Sequence, residues 1–164
     1  MLKESFERLL EEILKAVQAH YKDRLVTLAV FGSVARGTQR SDSDVDLLLI
    51  CDPLPSGRMR RMAEFEEVER QMTPLLSSLS QRGIATSLSP ILKTPAEVER
   101  GGAIYLDMVE DVRLLYDRED FFKRFLNRLR HRLSELGAHR IWRGNAWYWD
   151  LKPDFKPGEV FELF

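Results

Sequence analysis

The chain has 164 residues, enough for one domain with its own core, and its 44% hydrophobic and 31% charged composition is that of a globular protein. A net charge of −1 argues against a general nucleic-acid-binding role, which favours a basic chain. No run of 18 apolar residues is present to span a membrane, the single Cys51 excludes an internal disulfide, and the charged, amphipathic Met1-Leu-Lys-Glu-Ser-Phe-Glu-Arg8 is not a secretory signal, so a cytoplasmic location is expected.

Leu2, Phe6, Leu9, Ile13 and Val17 recur at spacings of three and four, which predicts a helix over 2–22. The nearly continuous apolar run 25–31 reads as a strand covered on both faces, and 45–51 has the same character. Between them lie Gly32-Ser33, expected to form a tight turn with a short helical piece, and a polar loop carrying Arg36, Gly37 and Arg40. After a loop at 52–57, Met62, Phe65, Val68, Met72 and Leu75 or Leu76 predict a helix over 58–81, with a kink or restart expected at Pro74. Ile84 to Leu92 reads as a third strand, with Ile84, Thr86 and Leu88 alternating against Ala85, Ser87 and Ser89. Thr94-Pro-Ala-Glu97 carries the signals of a helix start, with Thr at the cap, Pro at the first position and Glu three residues on. Gly101-Gly102 interrupts, a further short helix is expected at 103–109, and Val112–Tyr116 reads as a fourth strand.

From Glu119 to Leu136 the stripe Phe122, Phe125, Leu126, Leu129, Leu133 and Leu136 predicts an amphipathic helix closed by Gly137. Its other face carries Lys123, Arg124, Arg128, Arg130 and Arg132. A solvated face balanced by acids elsewhere is the simpler reading, and an anionic partner the alternative. Trp142, Trp147, Tyr148 and Trp149 follow in what reads as an extended tail with a turn at Gly144-Asn145; clustered aromatics beside arginines suit a homodimer or hetero-oligomer interface. The three histidines have no metal-ligand spacing. The expected architecture is α/β (α+β): a small mixed sheet with flanking helices over 1–117, and a C-terminal helix and aromatic tail over 118–164 packed on or extending it.

The residues that carry chemistry surround the loop between the first two strands. Side chains two apart on a strand point the same way, so Asp44 and Asp46 project together, opposite Val45 and Leu47. Adjacent carboxylates repel unless a cation joins them, and a hard ion such as Mg²⁺ takes one or two carboxylates together with phosphate oxygens. Gly32 and Ser33 supply the complement, because a glycine turn brings backbone N–H groups close to an anion. Asp44 and Asp46 are therefore the candidate catalytic and metal-binding residues. Gly32, Ser33, Arg36 and Ser43 are the candidate nucleotide-binding residues, with Arg40 a further cation near the phosphates.

Gly32-Ser33, ten intervening residues and Asp44-Val45-Asp46 resemble the signature of the DNA polymerase beta-like nucleotidyltransferase superfamily, and more narrowly of the minimal nucleotidyltransferases. The ending from Trp147-Tyr-Trp-Asp-Leu-Lys-Pro to Leu163 is similar to a tail in one prokaryotic branch of these proteins. The resemblance implies a nucleotidyltransferase-like fold and Mg²⁺, or Mn²⁺, as cofactor. It implies transfer of a nucleoside monophosphate, AMP from ATP in the first instance, to a hydroxyl. It also implies a HEPN-domain helical partner, toxin to this antitoxin, modified on a tyrosine.

The sequence departs from that pattern in one place. Many members carry a third carboxylate on the third strand, used to bind metal and deprotonate the acceptor; here the corresponding positions are Ser87 or Ser89. A serine is a poor metal ligand and no base at neutral pH. An acid from elsewhere, such as Glu97, Glu99 or Asp107, could replace the third carboxylate, and the sequence singles out none of them. A binding module without turnover, acting by covering its partner, is the rival reading. Transfer to a small molecule is a third, disfavoured because such enzymes usually close a second domain over the acceptor.

Overall fold

The computed structural model describes all 164 residues. The first helix, α1 (Leu2–Tyr21), buries Phe6, Leu9, Leu10, Ile13 and Val17 along one stripe, as its spacing predicts. Strand β1 (Leu25–Phe31) follows, then the five-residue helix α2 (Gly32–Arg36) and strand β2 (Val45–Cys51). The long helix α3 (Arg58–Gln81) leads to β3 (Leu88–Lys93), the short helices α4 (Pro95–Glu99) and α5 (Ile104–Asp111), and β4 (Arg113–Asp117). The chain ends with helix α6 (Phe121–Leu136), the strands β5 (His139–Arg143) and β6 (Ala146–Asp150), and irregular backbone beyond.

Four strands form one mixed sheet in the order β3-β2-β1-β4. β1 is antiparallel to both β2 and β4, whereas β2 and β3 run parallel. β1 and β2 are central, which explains their unbroken apolar sequence: both faces are covered. Val45, Leu47, Leu49 and Cys51 point into a core built with α1 and α3. Leu48 and Ile50 point the other way, against Tyr105 and Met108 of α5 and Phe122, Phe125 and Leu129 of α6. The architecture is thus α+β, a mixed sheet between two helical layers. Asp46 shares the parity of Leu48 and Ile50, so it opens toward the α5 side.

Local chemistry accounts for several boundaries. The Thr94 hydroxyl accepts the Glu97 N–H at 3.2 Å while the Glu97 carboxylate accepts the Thr94 N–H at 2.9 Å, the reciprocal cap its sequence predicts. Asp117, at the end of β4, accepts the N–H groups of Phe122 and Lys123, both at 2.9 Å, and the hydroxyl of fully buried Thr27 at 2.7 Å. One carboxylate therefore caps α6 and satisfies the one buried polar side chain of the sheet.

Three expectations change. Helix α3 runs through Pro74 without restarting, although the proline removes one ladder hydrogen bond. The third strand starts at Leu88, not Ile84, because the segment before it spends its hydrogen bonds elsewhere: Ala85 N–H donates to the Ser41 carbonyl at 2.8 Å, and Val45 N–H to the Ser87 carbonyl at 2.9 Å. The tail is not simply extended. β5 and β6 pair antiparallel across the Gly144-Asn145 turn, with Trp142 opposite Trp147.

The basic face of α6 is largely engaged within the chain. Arg128 pairs with Glu99 at 2.8 Å, while Arg130 and Arg132 donate to the carbonyls of Val109 and Glu162 at 2.6 and 2.8 Å. No helix is long and apolar enough to cross a membrane.

The Arg61 guanidinium grips Glu97 through two hydrogen bonds, at 2.8 and 2.9 Å, tying α3 to α4. Arg61, assisted by the Thr94 N–H, holds the Glu97 carboxyl down at about 2, against its ordinary 4.5. An acid with a depressed folded-state pKa stabilises above its unfolded value and loses that contribution as pH falls toward the folded one. Denaturant unfolding of wild type and Glu97→Gln across pH is expected to show the wild-type advantage intact above about 4.5 and gone near 2. An advantage that persists at the acid end contradicts the pairing.

Candidate active site

The site forms where the C-terminal end of β1 meets the start of β2. Phe31 lies opposite Asp46 in the β1–β2 register, so the turn that follows Phe31 passes directly over that carboxylate. Gly32 has φ +69, in the left-handed region, and a Cβ there would run into the Asp46 carboxylate. Both constraints require glycine: the backbone conformation penalises a side chain, and the acid occupies the space. The sequence reading singled out Gly32 for phosphate approach; its first demand in the structure is room for Asp46.

Asp44 precedes β2 and is exposed, while Asp46 is half-buried within it. Burial raises the Asp46 pKa above the ordinary carboxylate value; the Asp44 charge raises it further, and Arg36 opposes both. The two acids are therefore electrostatically joined, with Arg36 in their field. Together with Gly32 and Ser33 these side chains converge on one end of the sheet. Ser43 and Arg40 are used differently. The Arg40 N–H donates to Ser43 Oγ at 2.8 Å and the Ser43 N–H returns to the Arg40 carbonyl at 3.2 Å, a local turn that delivers the chain to Asp44. The Arg40 side chain pairs with Asp42 at 3.3 Å in an exposed contact.

The two serines flank the acids. Ser87 Oγ donates to Asp44 Oδ1 at 2.7 Å. Ser89 stands in register with Asp46 on the neighbouring strand, and in-register neighbours share a face. The positions at which a third carboxylate would join the pair are thus both hydroxyls, and no group of three His, Cys, Asp or Glu side chains is assembled. The other acids are committed elsewhere: Glu97 to Arg61, Glu99 to Arg128, and Asp107 to the Trp147 indole N–H at 3.3 Å.

Two contacts lay beyond the sequence reading. The Ser87–Asp44 bond joins residues 43 positions apart, and its only sequence signal was the place of Ser87 on the expected third strand, close to the Asp pair. The Arg36 guanidinium lies 4.8 Å from the centre of the Trp147 ring, a contact between the loop and the C-terminal hairpin with no local signal at all.

A mixed sheet with a Gly-Ser turn facing an Asp-Val-Asp strand start defines the nucleotidyltransferase class, and comparison with known proteins agrees. The nucleotidyltransferase domain family matches residues 10–100, more than half of the chain. A provisionally named protein adenylyltransferase of Methanocaldococcus jannaschii is 31% identical over 124 residues, covering 74% of this chain and 79% of that protein. A second protein of that organism, provisionally given the same name, is 35% identical over 46 residues, 28% of this chain and 46% of its own length. A toxin–antitoxin crystal structure with AMP-PNP aligns with a TM-score of 0.45 at 19% identity, over 77% of this chain and 91% of that one. The chain belongs to the nucleotidyltransferase domain family.

The burial of Asp46, reinforced by the Asp44 charge, makes a prediction for the metal-free protein. An acid whose folded-state pKa is raised costs stability once it ionises. Asp46→Asn, studied in excess chelator at neutral pH, is expected to melt at a higher temperature than wild type. A lower melting temperature would mean that the carboxylate makes a stabilising contact in the metal-free fold.

Proposed function

We propose that the protein is a metal-dependent nucleotidyltransferase that moves a nucleoside monophosphate, AMP from ATP in the first instance, to a hydroxyl of a protein partner. The observation that carries this is the paired Asp44 and Asp46 at one end of the sheet, facing a Gly32-Ser33 turn built around Asp46. The names given to the two M. jannaschii proteins support a protein as acceptor. The sequence resemblance to minimal nucleotidyltransferases extends the reading to an antitoxin with a HEPN-domain partner.

Two mutually repelling carboxylates, with oxygen donors only, fit a hard divalent ion such as Mg²⁺ or Mn²⁺. When bound by Asp44 and Asp46, that ion would neutralise charge on the polyphosphate and relieve the repulsion between the two acids. The chain's own residues do the rest. Gly32 and Ser33 open the backbone to the phosphates, with α2 behind them, and Ser43 shapes the turn that presents Asp44. Arg36 adds positive charge at the same end of the sheet. The acceptor oxygen bonds to the α-phosphorus, the bond to the β-phosphate oxygen breaks, and pyrophosphate leaves. Residues 1–117 form the catalytic unit in this reading, and 118–164 buttress it and present the aromatic hairpin.

Ser87 holds Asp44 by donating to one of its oxygens and takes no proton from the acceptor. A general base contributes about 10²–10⁴-fold, so transfer by this chain alone is slow unless the partner supplies the base. The same observation favours a second reading, a nucleotide-binding antitoxin module that acts by covering its partner without turnover.

Calorimetry with ATP, GTP, CTP and UTP, with and without Mg²⁺, tests the site. We expect Mg²⁺-dependent binding that is lost in Asp44→Asn/Asp46→Asn. Binding that survives in the double variant overturns the assignment. Transfer of label from α-phosphate-labelled ATP to a partner protein separates the two readings: binding without transfer selects the module. Ser87→Ala is expected to weaken metal binding by about 10-fold, the usual effect of losing the group that orients a ligand.

A further inference from the structure

The family match ends at residue 100, yet the hairpin formed by residues 139–150 reaches the candidate site. The link is Arg36, in the last turn of α2. Its guanidinium lies 4.8 Å from the Trp147 ring centre, within cation–π range, while Gly32, the first residue of the same five-residue helix, packs on the Asp46 carboxylate. Arg36 therefore lies at the same end of the sheet as Asp46 without pairing with it. A guanidinium that reaches a carboxylate can close a bidentate pair with it. Here a ring occupies the guanidinium instead.

Trp147 is itself fastened. Its indole N–H donates to Asp107 of α5 at 3.3 Å, and α5 also lies against α2. Arg140 packs against the same ring, 5.2 Å from its centre, and is anchored to α5 through Glu110 at 3.2 Å and through Asp111. Three acids of one short helix thus fix the hairpin, and the hairpin in turn meets Arg36. This arrangement also accounts for Asp107, which sits near the site yet serves an indole.

We propose that Trp147 is a positioning residue of the nucleotide site: its ring holds the Arg36 guanidinium off the Asp44–Asp46 pair, leaving the carboxylates to the metal and the guanidinium to the polyphosphate of the bound nucleotide. This rests on the reading of the site as a nucleotidyltransferase centre. It makes the aromatic hairpin part of the binding machinery, through a residue beyond the matched region.

The test is a double-mutant cycle on the full chain. Affinity for Mg²⁺·ATP is measured in wild type, Trp147→Leu, Trp147→Phe, Arg36→Gln and Arg36→Gln/Trp147→Leu, with folding checked by amide spectra. Trp147→Leu is expected to weaken binding about ten-fold, the scale of one cation–π contact, and Trp147→Phe to recover most of it. In the Arg36→Gln background, Trp147→Leu is expected to add nothing, because the ring then has no guanidinium to hold. Equal losses in both backgrounds overturn the proposal and make Trp147 a scaffold or a direct nucleotide contact. An unchanged affinity in Trp147→Leu overturns it as well, while leaving the nucleotidyltransferase reading in place. Wild-type protein that binds no nucleotide removes that reading, and the proposal with it. The Arg36 Nε–H resonance separates these failures: a ring-current shift present in wild type and lost in Trp147→Leu shows the contact to be real, and its absence from wild type overturns the positioning role whatever the nucleotide result.

Discussion

The constraint on which the site depends is the crowding of negative charge at the start of β2. Asp46 is half-buried, close enough to Asp44 to feel its charge, and covered by the Gly32 turn. A sheet has no reason of its own to hold two acids in this way, since burial and proximity each oppose ionisation. The surrounding residues make the arrangement tolerable: a glycine leaves the space, an arginine offsets the charge and a serine hydroxyl fixes one oxygen. Sites that must bind charge commonly carry such local cost, offset by the apolar core behind them. Here that core is the pair of central strands, whose residues from Leu47 to Cys51 are fully buried.

The features legible in the sequence were those set by short-range periodicity. The bounds of β1, β2 and α3 follow from continuous apolar runs and helical spacing, because central strands and amphipathic helices must show those patterns to be buried. The Thr94 cap is equally local, with all its partners inside four residues. The start of β3 was not legible. Ile84 is buried and alternates with its neighbours like a strand residue, but its N–H closes the end of α3 on the Leu79 carbonyl. Periodicity reports burial, and it does not say which groups take the backbone hydrogen bonds. The pairing of β5 with β6 escaped for a related reason: the Gly144-Asn145 turn was visible, but whether two short aromatic strands pair or stay extended depends on what they pack against.

The same distinction runs through the site. Gly32, Ser33, Asp44 and Asp46 are close in the chain, and two strands with a turn suffice to bring them together. The contacts that adjust them come from far away. Ser87 arrives from the approach to β3, and Trp147 from beyond α6. A motif of about twenty residues records the candidate reacting groups, whereas the groups that contact them depend on the packing of the whole chain.

Helix α5 illustrates what that packing achieves. It has eight residues, buries Tyr105, Met108 and Val109 against the sheet and α6, and carries the acids Asp107, Glu110 and Asp111. In sequence one of them, Asp107, is among the acids from elsewhere that could replace the family's third carboxylate. In the fold they hold the hairpin: Asp107 takes the Trp147 indole, and Glu110 and Asp111 take Arg140. Ser87 and Ser89 flank the two acids as hydroxyls, and the carboxylates of α5 bring a tryptophan against Arg36. In the proposed function, such a site is weighted toward holding a charged ligand in place, with proton removal left to whatever approaches the exposed side of Asp44.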